Sequence, residues 1–347
     1  MNYNLFGNSS LRISELCLGT MNFGEEWAFG IDRKTSQAVF DTFADAGGNY
    51  IDTADIYTEG TSERWVGDFI NTNREYFILS TKYSCHNRPD DPNAFGGSLK
   101  HMRRSVESSL QRLNTDYIDI LWFHSWDFIT GADELMRSLS QLVSEGKVLY
   151  LGLSNAPSWL LAQANTLAQQ HGWPRFAAVQ LEYSLAQRSI EPEFFTLMDA
   201  FDLNLSAWSP LGGGILTGKY QSKAGADKAR FTHLGMDVSQ AHQPLLAEVT
   251  RVAAELGCSL PQLALAWIRR RNPRIVPIVG ASNVGQLQDN LGSLAIELDD
   301  AQYSALEAAS RPVLHEPYGI MHRPDQVERI FKGYNTQIDN PRFELPR

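Results

Sequence analysis

A chain of 347 residues is about two average domains long, although α/β barrels routinely run past about 250 residues as one domain. Hydrophobic residues at 43% and charged residues at 20% are the proportions of a globular chain with ample material for a core. Thirty Lys and Arg against 40 Asp and Glu leave a net charge of −10, which argues against a nucleic-acid or anionic-membrane surface. Cys17, Cys85 and Cys258 are odd in number and widely scattered, so neither a disulfide framework nor a paired-Cys zinc motif can be read, and a reduced, cytoplasmic setting is expected. The N-terminal MNYNLFGNSS has no basic or apolar leader region, and nowhere do eighteen apolar residues run together, so neither secretion nor membrane spanning is expected.

In chain order, Tyr3–Phe6 and Leu11–Ile13 flank Gly7-Asn8-Ser9-Ser10 and predict a short hairpin, suited to plugging a barrel floor. Strands are then predicted at Leu16–Leu18, Tyr50–Asp52, Phe77–Thr81, Tyr117–Phe123, Leu149–Leu153, Ala178–Gln180, Asn204–Ala207 and Ile275–Ile278. Helices fill the spaces between them. Asp32 can N-cap one that stops at Gly47-Gly48, and Leu99, Met102, Val106, Leu110 and Leu113 form one stripe within Ser98–Asn114. Leu135, Leu139, Leu142 and Val143 lead to Gly146, which can take the left-handed position after a helix. Eight strands with room for helical crossovers predict a (β/α)₈ TIM barrel with an N-terminal hairpin and long active-site loops. A doubly wound open sheet is the alternative, but its Gly-rich first turn is replaced here by Thr20-Met21-Asn22. We expect one domain over 1–347, with the barrel at about 14–310 and a loop or tail at 311–347 that can cover the mouth with Tyr318, Met321 and His322.

Barrel chemistry sits at the C-terminal strand ends. Strand two ends in Asp52, strand three runs into Lys82, and strand four runs into His124. Strand five ends in Ser154-Asn155, strand six in Gln180, strand seven in Trp208-Ser209-Pro210, and Gly280-Ala281-Ser282 follows strand eight. Singly, Lys82 reads as a solvated charge, His124 as a core histidine and Asp52 as a helix cap; together they aim an acid, a base and an imidazole at one mouth. Tyr57, five residues after Asp52, is the natural proton donor. A free phenol has a pKa of about 10, and a neighbouring ammonium lowers it toward the range of general acid–base catalysis. Lys82 can supply that charge, with Asp52 holding Lys82 and His124 hydrogen-bonding toward a substrate oxygen.

The run Asp52-Thr-Ala-Asp55-Ile-Tyr57, with Glu63, Gly67, Lys82 and His124, resembles the aldo-keto reductases. The resemblance continues through Gly152-Leu-Ser154-Asn155, Gln180-Leu-Glu-Tyr183, Trp208-Ser-Pro-Leu-Gly-Gly-Gly-Ile-Leu-Thr-Gly-Lys219-Tyr220 and Val279-Gly-Ala-Ser-Asn-Val-Gly-Gln286-Leu-Gln-Asp-Asn290, spanning residue 3 to about 300. The Trp-Ser-Pro-Leu and Gly-Ala-Ser-Asn runs look most like the branch containing potassium-channel β subunits and their bacterial relatives.

The resemblance implies that Asp52, Tyr57, Lys82 and His124 form the catalytic tetrad. It implies that Ser154, Asn155 and Gln180 hold the nicotinamide carboxamide of NADPH, with NADH possible, and that Trp208 stacks on its ring. Further cofactor contacts are implied for Gly19, Thr20, Met21, Asp52, Ser209, Pro210, Leu211, Gly213 and Gly280. Ser282 and Gln286 would face the 2′-phosphate, and Asp289 and Asn290 the adenine. Many family members carry Lys or Arg in this turn, where this chain has Ser282 and Asn283, and Asp289 replaces the usual Glu. The loop from Lys219 to Arg230 holds four positive charges and one negative, a net +3 that can fold over a dinucleotide or stay solvated. A nucleotide-hydrolase reading of Gly213–Lys219 fails because Tyr220 replaces the Ser or Thr that binds Mg²⁺.

Trp27, Phe29, Tyr83, Trp126 and Phe128 follow strand ends and can line an apolar substrate pocket, or pack loops onto the barrel. Cys85, His86, Asp90, Asp91 and His101 fit no common metal spacing, so no metal is expected. The leading expectation is an NADPH-dependent reductase of aromatic or bulky ketones and aldehydes. The alternatives are an NADP(H)-sensing regulatory subunit and a secondary-alcohol dehydrogenase working oxidatively. The expected partner is a small carbonyl compound, with a homo-oligomer possible.

Overall fold

Eight parallel strands close into a barrel in the computed structural model, which describes residues 1–88, 90–219 and 242–339. The hairpin strands β1 (Tyr3–Leu5) and β2 (Arg12–Ser14) pair antiparallel ahead of it. The barrel runs β3 (Cys17–Gly19), β4 (Tyr50–Asp52), β5 (Ile78–Tyr83), β6 (Ile118–Phe123), β7 (Val148–Ser154), β8 (Phe176–Glu182), β9 (Asn204–Trp208) and β10 (Ile275–Val279), with β10 pairing back to β3. Each strand falls where the sequence places one. Gln180, however, is not the end of its strand, because β8 continues two residues to Glu182.

Crossovers are capped as their end residues dictate. Helix α1 (Arg33–Asp45) starts at Asp32, whose carboxylate accepts from the Thr35 amide. Helix α2 (Thr61–Ile70) follows the turn that carries Tyr57. Helix α3 (Leu99–Leu113) starts at Ser98, which accepts from the His101 amide, and ends on left-handed Asn114. Helices α4 (Ala132–Ser144), α5 (Ser158–His171), α6 (Thr196–Phe201), α7 (Gln243–Leu256), α8 (Leu260–Arg271) and α9 (Val284–Gly292) follow, then α10 (Asp300–Ala309) and the short α11 (Tyr318–Met321) and α12 (Pro324–Phe331). Among the described residues, the tail does not line the cavity at the strand ends. Tyr318 instead borders a separate cavity with Arg188, Glu193 and Arg311.

The interior of the barrel is packed. Residues of one parity point inward, and Cys17, Tyr50, Ile78, Ile120, Trp122, Ala178, Val276 and Ile278 form one cluster there. The hairpin supplies the stopper: Phe6 is fully buried edge-on to Trp122, with centroids 6.3 Å apart, and the Gly7 amide donates to the Asn204 side chain. Gly7 has φ +57, and a Cβ there would lie 2.2 Å from the Ala177 carbonyl oxygen. The opposite parity packs β5 to β9 against α3, α4, α5, α7 and α8 around Leu121, Leu139, Leu153 and Trp267.

Trp122 owes its place to Gly152, its register partner on β7. A Cβ on Gly152 would lie 2.2 Å from the indole ring. Gly152→Ala is therefore expected to destabilise the barrel by about 1–3 kcal/mol through overpacking, read as a lower denaturant midpoint with an unchanged slope.

Candidate active site

Alternation along β5 assembles the centre of the site. Ile78, Ser80 and Lys82 face the barrel interior, while Leu79, Thr81 and Tyr83 face the helices. Lys82 thus enters the barrel 1% exposed, where β4 has brought Asp52 at 2%. Its Nζ donates to Asp52 Oδ2 at 2.5 Å, to the Thr53 carbonyl at 2.7 Å and to the Tyr57 hydroxyl at 3.0 Å, which uses all three ammonium protons. Asp52 Oδ1 accepts from Ser80 Oγ at 2.8 Å and from Gln180 Nε2 at 2.9 Å. Burial alone would lower the Lys82 pKa, but Asp52 and Tyr57 beside it outweigh that and raise it, so the ammonium stays charged.

Tyr57 opens the turn after β4 and lies half-buried with its ring edge-on to Trp27 and to His124, at centroid distances of 6.2 and 6.1 Å. His124 follows β6 directly and is neutral. Burial, then the Lys82 charge, push its pKa down to about 3. Its Nδ1 lies 3.5 Å from Cys85 Sγ. Asn155, left-handed at φ 43, donates to the His124 carbonyl at 3.0 Å and accepts from the Trp208 indole N–H at 3.2 Å. Both ends of its amide are engaged in holding neighbours.

A cavity of about 650 Å³ opens over this group. Asp52, Tyr57, His124, Asn155 and Gln180 form its base, with Gly19, Met21, Trp27, Trp208, Ser209, Pro210, Leu211, Gly213 and Lys219 around them. It extends past Gly280 to Ser282, ahead of α9, and to Gln286, Asp289 and Asn290 along that helix. Asn283 caps that helix by accepting from the Gln286 amide, and Gln286 returns its side-chain oxygen to the Ser282 amide. Asp289 is tied to α8, accepting from Ser259 Oγ at 2.9 Å and Gln262 Nε2 at 2.8 Å, and Asn290 Nδ2 donates to the Gly280 carbonyl at 3.5 Å.

Several expected site residues lie elsewhere. Thr20 is fully buried, donating to the Asp52 carbonyl and sharing a hydrogen bond with Ser62, and does not reach the cavity. Tyr83 falls on the outward parity of β5 and packs on Phe123 and His101 beneath α3. Trp126 donates its indole N–H to the Thr130 carbonyl and packs its ring against Phe128 on the loop and edge-on to Trp159 of α5, and it does not line the cavity. Ser154 is buried beside the cavity, and its hydroxyl has no partner. Arg230 lies outside the described residues. In the loop after β5, Cys85 turns to His124, while His86 lies against Phe95.

The cavity also takes Asn22, Phe29, Ile56, Cys85, Gly214, Thr217, Pro261 and Ile278, of which only Phe29 was expected as lining. Ile278, and Ser80 in the network below the cavity, were legible from strand alternation, since each lies two residues before a predicted site residue, Gly280 and Lys82. Cys85 carried no such signal, since its position depends on the loop after β5.

A second carboxylate lies beneath the turn. Asp55 is 5% exposed, its Oδ2 accepts from Asn87 at 3.4 Å, and its Oδ1 has no partner. Burial, then the nearby Glu63 charge, raise its pKa to about 8. A carboxyl with a higher pKa folded than unfolded holds a proton the unfolded chain has lost, so its contribution to stability falls as pH rises from about 4 toward 8. Asp55→Asn should remove this loss, so its Tm advantage over the parent should be near zero at pH 4 and reach roughly 5–10 °C at pH 8.

The profile described as the Aldo/keto reductase family matches residues 15–311. The chain is 37% identical over 309 residues to norsolorinic acid reductase stcV of Emericella nidulans, covering 86% of this chain and 79% of that protein. It is 35% identical over 327 residues to a norsolorinic acid reductase of Aspergillus flavus, covering 91% and 81%. It is 34% identical over 310 residues to aryl-alcohol dehydrogenase GME11368 of Pestalotiopsis microspora, covering 86% and 79%. These relatives are fungal oxidoreductases by name, and they do not carry the expected likeness to the channel β-subunit branch. The chain is an oxidoreductase and belongs to the aldo/keto reductase family.

Proposed function

We propose that the protein reduces an aromatic or bulky ketone or aldehyde to its alcohol, using NADPH and Tyr57 as the general acid. The observation that carries this reading is the 3.0 Å contact of the buried Lys82 ammonium with the Tyr57 hydroxyl, at the base of the cavity. The ammonium stabilises the phenolate left when Tyr57 gives its proton to the substrate oxygen, which is the property an acid of that type requires. Asp52 holds the ammonium in place, and neutral His124 directs the oxygen by a hydrogen bond. When bound, a reduced nicotinamide dinucleotide supplies the hydride.

The residues present fit such a cofactor. The unpartnered, buried Ser154 hydroxyl wants a hydrogen-bonding ligand group, and Gln180, with Nε2 given to Asp52, offers its amide oxygen to a carboxamide N–H. Trp208, its indole N–H fixed by Asn155, offers a ring face. Trp27 and Phe29, with ring centroids 5.6 Å apart, supply apolar surface for the substrate, in keeping with relatives named for norsolorinic acid and aryl alcohols. The name of the last relative also supports a reading in the oxidative direction. On the proposed reading residues 1–347 form one cytoplasmic domain, with its barrel at about 14–310.

Tyr57→Phe is expected to lower the turnover of aromatic aldehydes and ketones about 10²–10⁴-fold while leaving the fold intact. Undiminished turnover would remove Tyr57 from the mechanism. Running the same panel as alcohols with NADP⁺ separates the two directions. Ser282→Ala combined with Arg230→Ala should weaken NADPH binding far more than NADH binding, measured by cofactor fluorescence titration; equal losses would remove the 2′-phosphate assignment.

A further inference from the structure

Cys85 lines the same cavity as Tyr57 and His124, and neither the fold nor the proposed chemistry requires a thiol there. Its place is well determined. After Lys82 the chain turns at Ser84, whose φ of 107 is a conformation that few side chains adopt, and this brings Cys85 back toward the mouth. The turn is bound to the segment carrying the imidazole. Ser84 Oγ donates to the Ser125 carbonyl at 2.9 Å and accepts from the Ser125 amide at 3.0 Å. The His124 amide donates to the Tyr83 carbonyl at 2.9 Å, and the Gly96 amide donates to the Ser84 carbonyl at 2.8 Å. Three of these hydrogen bonds fix the two loops relative to each other, the fourth closes the loop after β5 on itself, and together they leave Cys85 Sγ 3.5 Å from His124 Nδ1.

A neutral imidazole has one nitrogen that donates and one that accepts, and its neighbours decide which is which. A thiol is a weak donor and a weaker acceptor, whereas an unprotonated ring nitrogen is a good acceptor. The better pairing at this contact is therefore S–H to Nδ1, which leaves the proton on Nε2. We propose that Cys85 is a positioning residue that selects the Nε2–H tautomer of His124, so that the ring presents a donor to the substrate carbonyl. This rests on the proposed reaction, in which His124 directs the carbonyl oxygen. The protonation states agree with it: burial, then Asp55, push the Cys85 thiol up to about 11, and the imidazole is held neutral, so neither partner is an ion near pH 7. The same shift makes Cys85 a poor nucleophile and sets it apart from reactive active-site thiols.

The test is a long-range ¹H–¹⁵N correlation spectrum of the full-length ¹⁵N-labelled protein, which reports the tautomer of each of the eight histidines. The His124 signal is assigned by its loss in His124→Gln. The parent should show the Nε2–H pattern at His124, Cys85→Ala a mixture of tautomers, and Cys85→Ser, which keeps a donor, the parent pattern. In carbonyl reduction, Cys85→Ala should lower kcat about 3–10-fold, the loss of one modest hydrogen bond, and Cys85→Ser should restore most of it. An Nδ1–H pattern in the parent, or an unchanged Nε2–H pattern in Cys85→Ala, overturns the proposal. Failure of the reaction reading is a separate outcome, since Tyr57→Phe with full turnover would remove the mechanism while leaving the tautomer result as it stands.

Discussion

Two opposite charges inside the barrel, Asp52 and Lys82, lie 2.5 Å apart with almost no exposure. Removing either partner from such a pair typically costs about 3–5 kcal/mol, because the other is left charged and buried. Both charges are accordingly supplied with further hydrogen-bonding groups. Ser80 and Gln180 serve the carboxylate, and Thr53 and Tyr57 serve the ammonium. Four of the eight staves, β4, β5, β6 and β8, converge on this spot, either within the network or, through His124, at its edge. The arrangement that stabilises the charges is the one that brings a phenol, an ammonium and an imidazole under one cavity.

Much of this was legible in the sequence because strand parity is a simple code. The spacing of Ile78, Ser80 and Lys82 sends alternate residues inward, and the same rule applied to Asp52 and Gln180 meets them in the middle. Tyr83 shows the cost of setting parity aside. It follows Lys82 by one residue, and so it must face the helices. The loops were less legible. Trp126 and Cys85 both follow strand ends, yet one turns out to pack on Trp159 and the other turns in to His124. The left-handed turn at Ser84 and the hydrogen bonds to Ser125 decide the second case, and no local pattern announces either.

The mouth is held together by side chains that join loop to loop. Asn155 joins the turn after β7 to the backbone of His124 and to the indole of Trp208. Asp289 joins α9 to the capping box of α8, where Ser259 and Gln262 already serve the helix start. Polar residues expected to meet a ligand directly thus also maintain the wall against which a ligand would lie. Substituting one of them changes the shape of the cavity together with its chemistry.

The hairpin stopper has a kinetic meaning. With Phe6 seated against Trp122 and Gly7 bonded to Asn204, the floor of the barrel is sealed by packed side chains. Molecules that reach the Asp52–Lys82 pair therefore come and go from one side, and they share one doorway. The rate of exchange then belongs to the loops around the rim, while the staves below can stay rigid.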